Sequence, residues 1–121
     1  MKRRIIAAVG DLFFAAKIRG TAEQVGAEAG FPKTADALLA AARDAKPSLV
    51  VFDLQATNLD PFALARALKA DETLRDVPLV GFFSHVESEL RARAQQSGID
   101  HVMPRSQFAA RLVEILRGDS D

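Results

Sequence analysis

Short apolar runs alternate along the chain with longer segments in which apolar residues recur at helical spacing. Runs of about five residues that are apolar on both faces are typical of strands covered by helices on each side. They predict strands at Ile5–Val9, Ala27–Phe31, Ser48–Phe52, Leu79–Phe83 and Ile99–Met103, the second being the weakest. The amphipathic segments between them predict helices over 12–26, 35–42, 61–70, 87–97 and 108–116. Thr34 and Asp60 are expected to cap the second and third helices, and Gly98 to end the fourth.

Strict alternation of strand and helix predicts an α/β fold, a five-stranded parallel sheet with helices on both faces, because parallel neighbours need crossover connections. The chain has 121 residues, which predicts a single domain over 1–121. In such sheets ligands bind at the carboxyl ends of the strands. The residues expected there are Asp11, Asp53, Phe83 with Ser84, and Pro104 with Arg105.

The amino-acid composition argues against several classes of protein. Sixteen basic and sixteen acidic residues give zero net charge, which argues against a nucleic-acid partner. The absence of cysteine excludes disulfides and thiolate-ligated metals, and no apolar run approaches the roughly 20 residues of a membrane helix. We therefore expect a cytoplasmic protein without a membrane or nucleic-acid partner.

Two carboxylates, Asp11 and Asp53, follow the first and third predicted strands. Held close together they would raise each other's pKa unless a cation intervened, so the pair predicts a site for Mg²⁺ or for an Arg or Lys side chain. The alternative is that each aspartate caps the helix or turn that follows it. The spacing alone leaves both interpretations open.

The sequence resembles the receiver domain of bacterial response regulators. Asp53-Leu54-Gln55-Ala56-Thr57-Asn58-Leu59-Asp60-Pro61-Phe62 falls without a gap on the family pattern D-L-x-M-P-x-M-D-G-L, and Asp76-Val77-Pro78-Leu79-Val80 is similar to its D-I-P-V-I. The resemblance implies the (βα)5 flavodoxin-like receiver fold. It also implies that Asp53 is at the phosphoacceptor position, and that Asp11, Asp53 and the carbonyl of Gln55 are the candidate Mg²⁺ ligands.

Several positions that the resemblance identifies depart from the family pattern. Receivers carry two adjacent acids after the first strand, whereas this chain has Gly10 and Asp11. The phosphate-binding lysine corresponds to Arg105, and the proline after it to Ser106. Loss of a carboxylate weakens Mg²⁺ binding, and arginine is not equivalent to a compact ammonium. We expect that no cofactor is required and that Mg²⁺ binds weakly.

The two switch positions of the family are altered as well. The hydroxyl position at the end of the fourth strand falls on Phe83, which cannot hydrogen-bond a phosphoryl oxygen. Ser84 would reach that position only through a one-residue bulge. The aromatic switch residue of the fifth strand is Val102. The pattern is that of a degenerate receiver, a pseudo-receiver, in which an Asp53–Arg105 ion pair could imitate a constitutive state.

We predict a non-enzymatic signalling module of a two-component or related pathway that acts by binding a partner signalling protein, with impaired or absent phosphorylation. The alternative is a functional single-domain response regulator, phosphorylated on Asp53 by a histidine kinase with Mg²⁺. A flavodoxin-like enzyme or nucleotide binder lacks the glycine-rich phosphate loop. We expect a monomer or a weak homodimer. Phe13 and Phe14 cannot both be buried on one helix, so one is expected near the rim of the site. These rings could form a lid or a partner contact, and the alternative is packing between the first and last helices.

Overall fold

Five parallel strands form one sheet in the computed structural model, which describes residues 2–85 and 89–118. The strand order is β2-β1-β3-β4-β5, and every neighbouring pair is parallel. The strands are β1 Arg4–Ala8, β2 Glu28–Gly30, β3 Leu49–Asp53, β4 Leu79–Phe83 and β5 His101–Pro104. The predicted fold class is confirmed.

Helices connect the strands and begin where the sequence supplies caps. They are α1 Leu12–Gln24, α2 Ala35–Asp44, α3 Pro61–Ala70, α4 Leu90–Gln96, α5 Arg105–Ala110 and α6 Leu112–Arg117. The Thr34 hydroxyl accepts a hydrogen bond from Ala37 N, and the Asp60 carboxylate accepts from Phe62 N and Ala63 N, as predicted. Pro61 occupies the first turn of α3, where its missing N–H costs no hydrogen bond.

Helices cover both faces of the sheet. Helices α1, α5 and α6 pack Phe14, Ile18, Phe108 and Leu116 against one face, and α2, α3 and α4 pack Leu38, Leu68 and Leu90 against the other. Strand residues alternate between these two cores, which is why the strands are apolar on both faces. The carboxyl ends of β1, β3, β4 and β5 are left accessible at one edge.

Strand β4 and helix α3 have the predicted bounds, and the other elements shift by one to three residues at one or both ends. Strand β2 has three residues rather than the five expected. The predicted fourth helix starts at Glu87, outside the described residues, and α4 begins at Leu90. The single closing helix is divided at Arg111, whose φ of −104° and ψ of 14° leave the helical region, although Arg111 N still bonds Gln107 O at 3.0 Å. No helix in the described ranges is long and apolar enough to cross a membrane.

Candidate functional site

Asp53 ends β3 and lies half-buried at the open edge of the sheet. Its Oδ1 accepts a hydrogen bond of 2.9 Å from the backbone N–H of Gln55. Burial raises the pKa of Asp53 above its ordinary value, because desolvation disfavours the charged carboxylate. The Gln55 N–H and the positive charge of Arg105 act to lower this pKa, and the negative charge of Asp11 to raise it.

Asp11 is the N-cap of α1, and both of its carboxylate oxygens have partners. Oδ1 accepts from Phe13 N at 2.9 Å and Phe14 N at 3.1 Å, which satisfies two N–H groups of the first helical turn. Oδ2 accepts from Arg105 Nη2 at 3.0 Å. The Phe14 N–H and then the Arg105 guanidinium lower the pKa of Asp11, because both stabilise the charged carboxylate.

Arg105 pairs with Asp11, so the predicted Asp53–Arg105 ion pair is wrong. The guanidinium carbon of Arg105 lies 4.3 Å from the centroid of the Phe14 ring, within cation–π range. Arg105 is the first residue of α5, whereas Asp11 and Phe14 lie at the start of α1. Because Arg105 contacts both of these residues, its side chain extends toward α1. Among the described residues, Arg105 has no ion pair with Asp53 and acts on it only through its charge.

The two phenylalanines after Asp11 have opposite environments, as predicted. The Phe14 side chain is 5% exposed and packs edge-on against Phe82, with ring centroids 5.1 Å apart, and against Phe108 at 5.8 Å. Phe13 is 90% exposed and Leu12 is 83% exposed. Phe13 and Phe14 line a groove of about 710 Å³ together with the last residues of β4 and β5, Phe83 and Pro104, and with Arg105.

Phe83 is the last residue of β4 and is buried. The β3–β4 pairing runs without a bulge from Val50 opposite Leu79 to Asp53 opposite Phe82, so nothing in the register moves Ser84 into the strand. Ser84 is exposed, beyond the end of β4.

Two further side chains adjoin Phe83 at this end of the sheet. The Arg91 guanidinium lies 5.5 Å from the Phe83 ring centroid and donates to the carbonyl of Val102 at 3.0 Å. Val102 is partly buried and packs against the same core as Phe83. Two of the predicted switch positions are therefore occupied by apolar side chains packed against the α2, α3 and α4 core.

The Gln55 side chain joins two loops at the edge, a role that the sequence did not reveal. Its Oε1 accepts from Ser84 N at 2.7 Å and His85 N at 3.1 Å, and its Nε2 donates to His85 O at 2.9 Å. These bonds fasten the segment after β3 to the segment after β4. The resemblance assigned only the backbone carbonyl of Gln55, and a glutamine in a loop carries no pattern that predicts such contacts.

The residues predicted as metal ligands lie around one cavity of about 570 Å³, which Asp11, Asp53 and Gln55 line together with Asn58 and Lys33. Within residues 2–85 and 89–118, no group of three or more His, Cys, Asp or Glu side chains is arranged to hold a metal ion. A hard cation in this cavity would compete for oxygens that already accept hydrogen bonds, namely both oxygens of Asp11 and Oδ1 of Asp53.

Solved response-regulator structures superpose on this chain along nearly its whole length. The chemotaxis response regulator CheY4 of Vibrio cholerae superposes with a TM-score of 0.83 at 14% identity, over 98% of each chain. A CheY-like receiver domain protein from Methanospirillum hungatei gives 0.81 at 18% identity, over 98% of this chain and 94% of that one. This chain has the receiver fold.

A third neighbour, NtrX from Brucella abortus, is 26% identical with a TM-score of 0.78, over 98% of this chain and 28% of that longer one. No protein-family model matches the sequence, and no curated protein matches it either. The likeness to receiver domains is therefore one of structure. It supports the resemblance found in the sequence around Asp53.

Proposed function

We propose that the chain is a receiver-like signalling module that acts by binding a partner protein, and that phosphorylation of Asp53 is impaired or absent. The observation that carries the proposal is the ion pair between Arg105 and Asp11, with 3.0 Å between Nη2 and Oδ2. This ion pair engages both Asp11, the acid that follows β1, and Arg105, the cation that follows β5. In a receiver-type phosphorylation site these two positions serve Mg²⁺ and the phosphoryl group, so each of them would have to compete with the ion pair.

Magnesium binding is the first step that this arrangement weakens. Mg²⁺ demands near-octahedral oxygen coordination and dehydrates reluctantly, so each missing carboxylate lowers its affinity. To bind Mg²⁺, Asp11 would have to give up the Arg105 guanidinium or its bonds to the first turn of α1. Gly10, at the position of the second acid, supplies no ligand. We infer that Mg²⁺ binds weakly and that the module requires no cofactor.

Stabilisation of a transferred phosphoryl group is the second step. Its charge is neutralised by positioned cations and hydrogen-bond donors. Phe83 offers no donor, and the Arg105 guanidinium is held by Asp11 and the Phe14 ring. The arrangement supports a binding module rather than an enzyme.

The partner surface that we propose is the start of α1. Leu12 and Phe13 are large apolar side chains exposed together, and such patches mark interaction sites. The adjoining groove is lined by Lys17 and by Arg105, whose charge Asp11 already balances. This combination favours a partner segment that presents an apolar side chain beside a carboxylate, as a signalling protein such as a histidine kinase could supply.

Phosphoryl transfer to Asp53 tests the proposal. The protein is incubated with acetyl phosphate and Mg²⁺, and the intact mass is recorded for the wild type and for Asp53→Asn. We expect no phosphoryl adduct on either protein. A stoichiometric adduct on the wild type that is absent from Asp53→Asn would overturn the proposal and establish the alternative, a response regulator phosphorylated on Asp53 with Mg²⁺.

A further inference from the structure

A second cavity, of about 250 Å³, lies at the opposite end of the sheet from Asp53. Its walls come from the starts of β3, β4 and β5 and from α6. Leu49, Val80, Met103 and Ile115 form the apolar part of its wall, and each of these residues is less than 8% exposed. The chemistry described for Asp11, Asp53 and Arg105 does not involve this cavity.

Basic and polar side chains converge on the mouth of the cavity. Arg3, Arg111 and His101 line it together with Ser48, and none of the carboxylate side chains within residues 2–85 and 89–118 lines it. Two permanent positive charges beside an apolar interior form the arrangement that recognises an anion with an apolar body.

Both guanidinium groups have donors without an acceptor in the described part of the chain. Arg3 Nε donates to the carbonyl of Leu116 at 2.9 Å, and its Nη1 and Nη2 have no acceptor among residues 2–85 and 89–118. Arg111 forms an ion pair with the exposed Glu114 carboxylate, at 3.6 Å from Nε, a distance longer than a hydrogen bond. A ligand carboxylate would therefore add hydrogen bonds to both arginines without breaking a buried one.

The end of α6 has a glycine, Gly118, where the Arg3 guanidinium lies close to the backbone. Gly118 ends α6 with φ of 86°, a left-handed conformation that favours glycine. A Cβ on Gly118 would lie 2.8 Å from Arg3 Cζ, so the absence of a side chain lets the guanidinium lie against the helix end. The positive group is thereby held at the cavity mouth.

We propose that this cavity binds a small organic monocarboxylate, with its carboxylate between Arg3 and Arg111 and its apolar body against Val80, Met103 and Ile115. An apolar cavity of about 150 Å³ is large enough for benzene, so about 250 Å³ accommodates one ring or a short branched chain together with a carboxylate. Inorganic phosphate fits less well, because it would leave the apolar walls uncovered.

Titration of the full-length protein with sodium benzoate, followed by ¹H–¹⁵N NMR, tests the site. Benzamide, equal in size but neutral, and inorganic phosphate are titrated in parallel. The variants are Arg111→Gln and Arg3→Gln, with Arg75→Gln as the matched control, since Arg75 is exposed and does not line this cavity.

The proposal predicts saturable shifts of the Val80, Met103 and Ile115 amides with benzoate. It also predicts affinity about tenfold weaker for benzamide and for Arg111→Gln, and unchanged affinity in Arg75→Gln. Absence of saturable shifts up to about 10 mM benzoate would overturn it. So would equal binding by Arg111→Gln, or phosphate binding as tight as that of benzoate. If Arg3→Gln unfolds, Arg111→Gln decides the outcome, because Arg111 makes no hydrogen bond to the core through its side chain.

Discussion

Arg105 Nη2 lies 3.0 Å from Asp11 Oδ2, and the same guanidinium lies over the ring of Phe14. Phe14 in turn donates its backbone N–H to Asp11 Oδ1. Asp11, Arg105 and the first turn of α1 are therefore linked by hydrogen bonds and by a cation–π contact. The consequence is a site in which the opposite charges of Asp11 and Arg105 face each other, while Asp53 lies beside them without an ionic partner among the described residues.

Replacing Arg105 with alanine should raise two pKa values. The pKa of Asp11 should move back toward its ordinary value, because the Arg105 hydrogen bond and charge lower it. The pKa of Asp53 should rise further, because the charge of Arg105 opposes the effect of burial. Carboxyl ¹³C NMR titration measures both, with Arg75→Ala as the control. An unchanged Asp11 pKa in Arg105→Ala would show that the ion pair does not form in solution.

Asp53→Asn should make the protein more stable at neutral pH. The folded pKa of Asp53 is raised, so the folded state binds this proton more tightly than the unfolded state. Ionisation therefore costs stability, fully above the raised pKa and not at all below the ordinary value. Asparagine avoids this cost and keeps an oxygen for the Gln55 N–H.

The comparison is made by thermal unfolding at a series of pH values. The Tm of Asp53→Asn should exceed that of the wild type at pH 7, and the difference should disappear as the pH falls below the ordinary aspartate value. A wild type more stable than Asp53→Asn at pH 7 would mean that the ionised carboxylate has a stabilising partner.

Gln55→Ala should free the segment after β4. The wild-type side chain accepts hydrogen bonds from Ser84 N and His85 N, and these donors would turn to water in the variant. Amide hydrogen exchange at Ser84 and His85 should quicken by about tenfold. Asn58→Ala, in the same loop but bonded to Lys33 O, is the matched control and should leave that exchange unchanged. Equal exchange in the wild type and Gln55→Ala would contradict the role of Gln55.

Phe13→Ser and Phe14→Ala should have very different effects on the free energy of unfolding. Phe13 is 90% exposed, so its loss should change the free energy of unfolding by no more than about 0.5 kcal/mol. Phe14 is 5% exposed among aromatic rings, and its truncation should cost about 3–5 kcal/mol. Urea unfolding measures both. A large destabilisation by Phe13→Ser would show that Phe13 belongs to the core rather than to a docking surface.

Much of the fold was predictable because local signals and burial agree. Thr34 and the Asp60-Pro61 pair mark helix starts, and β4 has the predicted bounds of Leu79–Phe83 because both faces of that strand are buried. The division of the last helix at Arg111 was not predictable, since neither glycine nor proline lies between Arg105 and Arg117.

The sequence predicted which residues lie at the site but not which of them contact each other. Topology brings Asp11, Asp53 and Arg105 to one edge, as the alternation of elements implies. Which carboxylate Arg105 meets depends on the path of its side chain over the Phe14 ring, a tertiary contact without a sequence pattern. The bonds from Gln55 to Ser84 and His85 depend in the same way on two loops meeting in space.

Placing the second acid and the lysine of the receiver pattern at positions 10 and 105 provides a gain-of-function comparison. A Cβ on Gly10 would meet only Asn58 Oδ1, at 3.7 Å, an ordinary contact, so Gly10→Asp has room for its first side-chain atom. Combined with Arg105→Lys, it would supply a second carboxylate and a compact ammonium. We expect this double variant to bind Mg²⁺ at least about tenfold more tightly than the wild type.

Equilibrium binding of beryllofluoride with Mg²⁺, observed by ¹⁹F NMR, tests most directly whether Asp53 can carry a phosphoryl-like group. Unlike an acyl phosphate, the complex does not hydrolyse before it is detected. The wild type should show no protein-bound fluoride signal, whereas Gly10→Asp/Arg105→Lys should acquire one that is lost when Asp53→Asn is added. A stoichiometric bound signal in the wild type, absent from Asp53→Asn, would contradict the account.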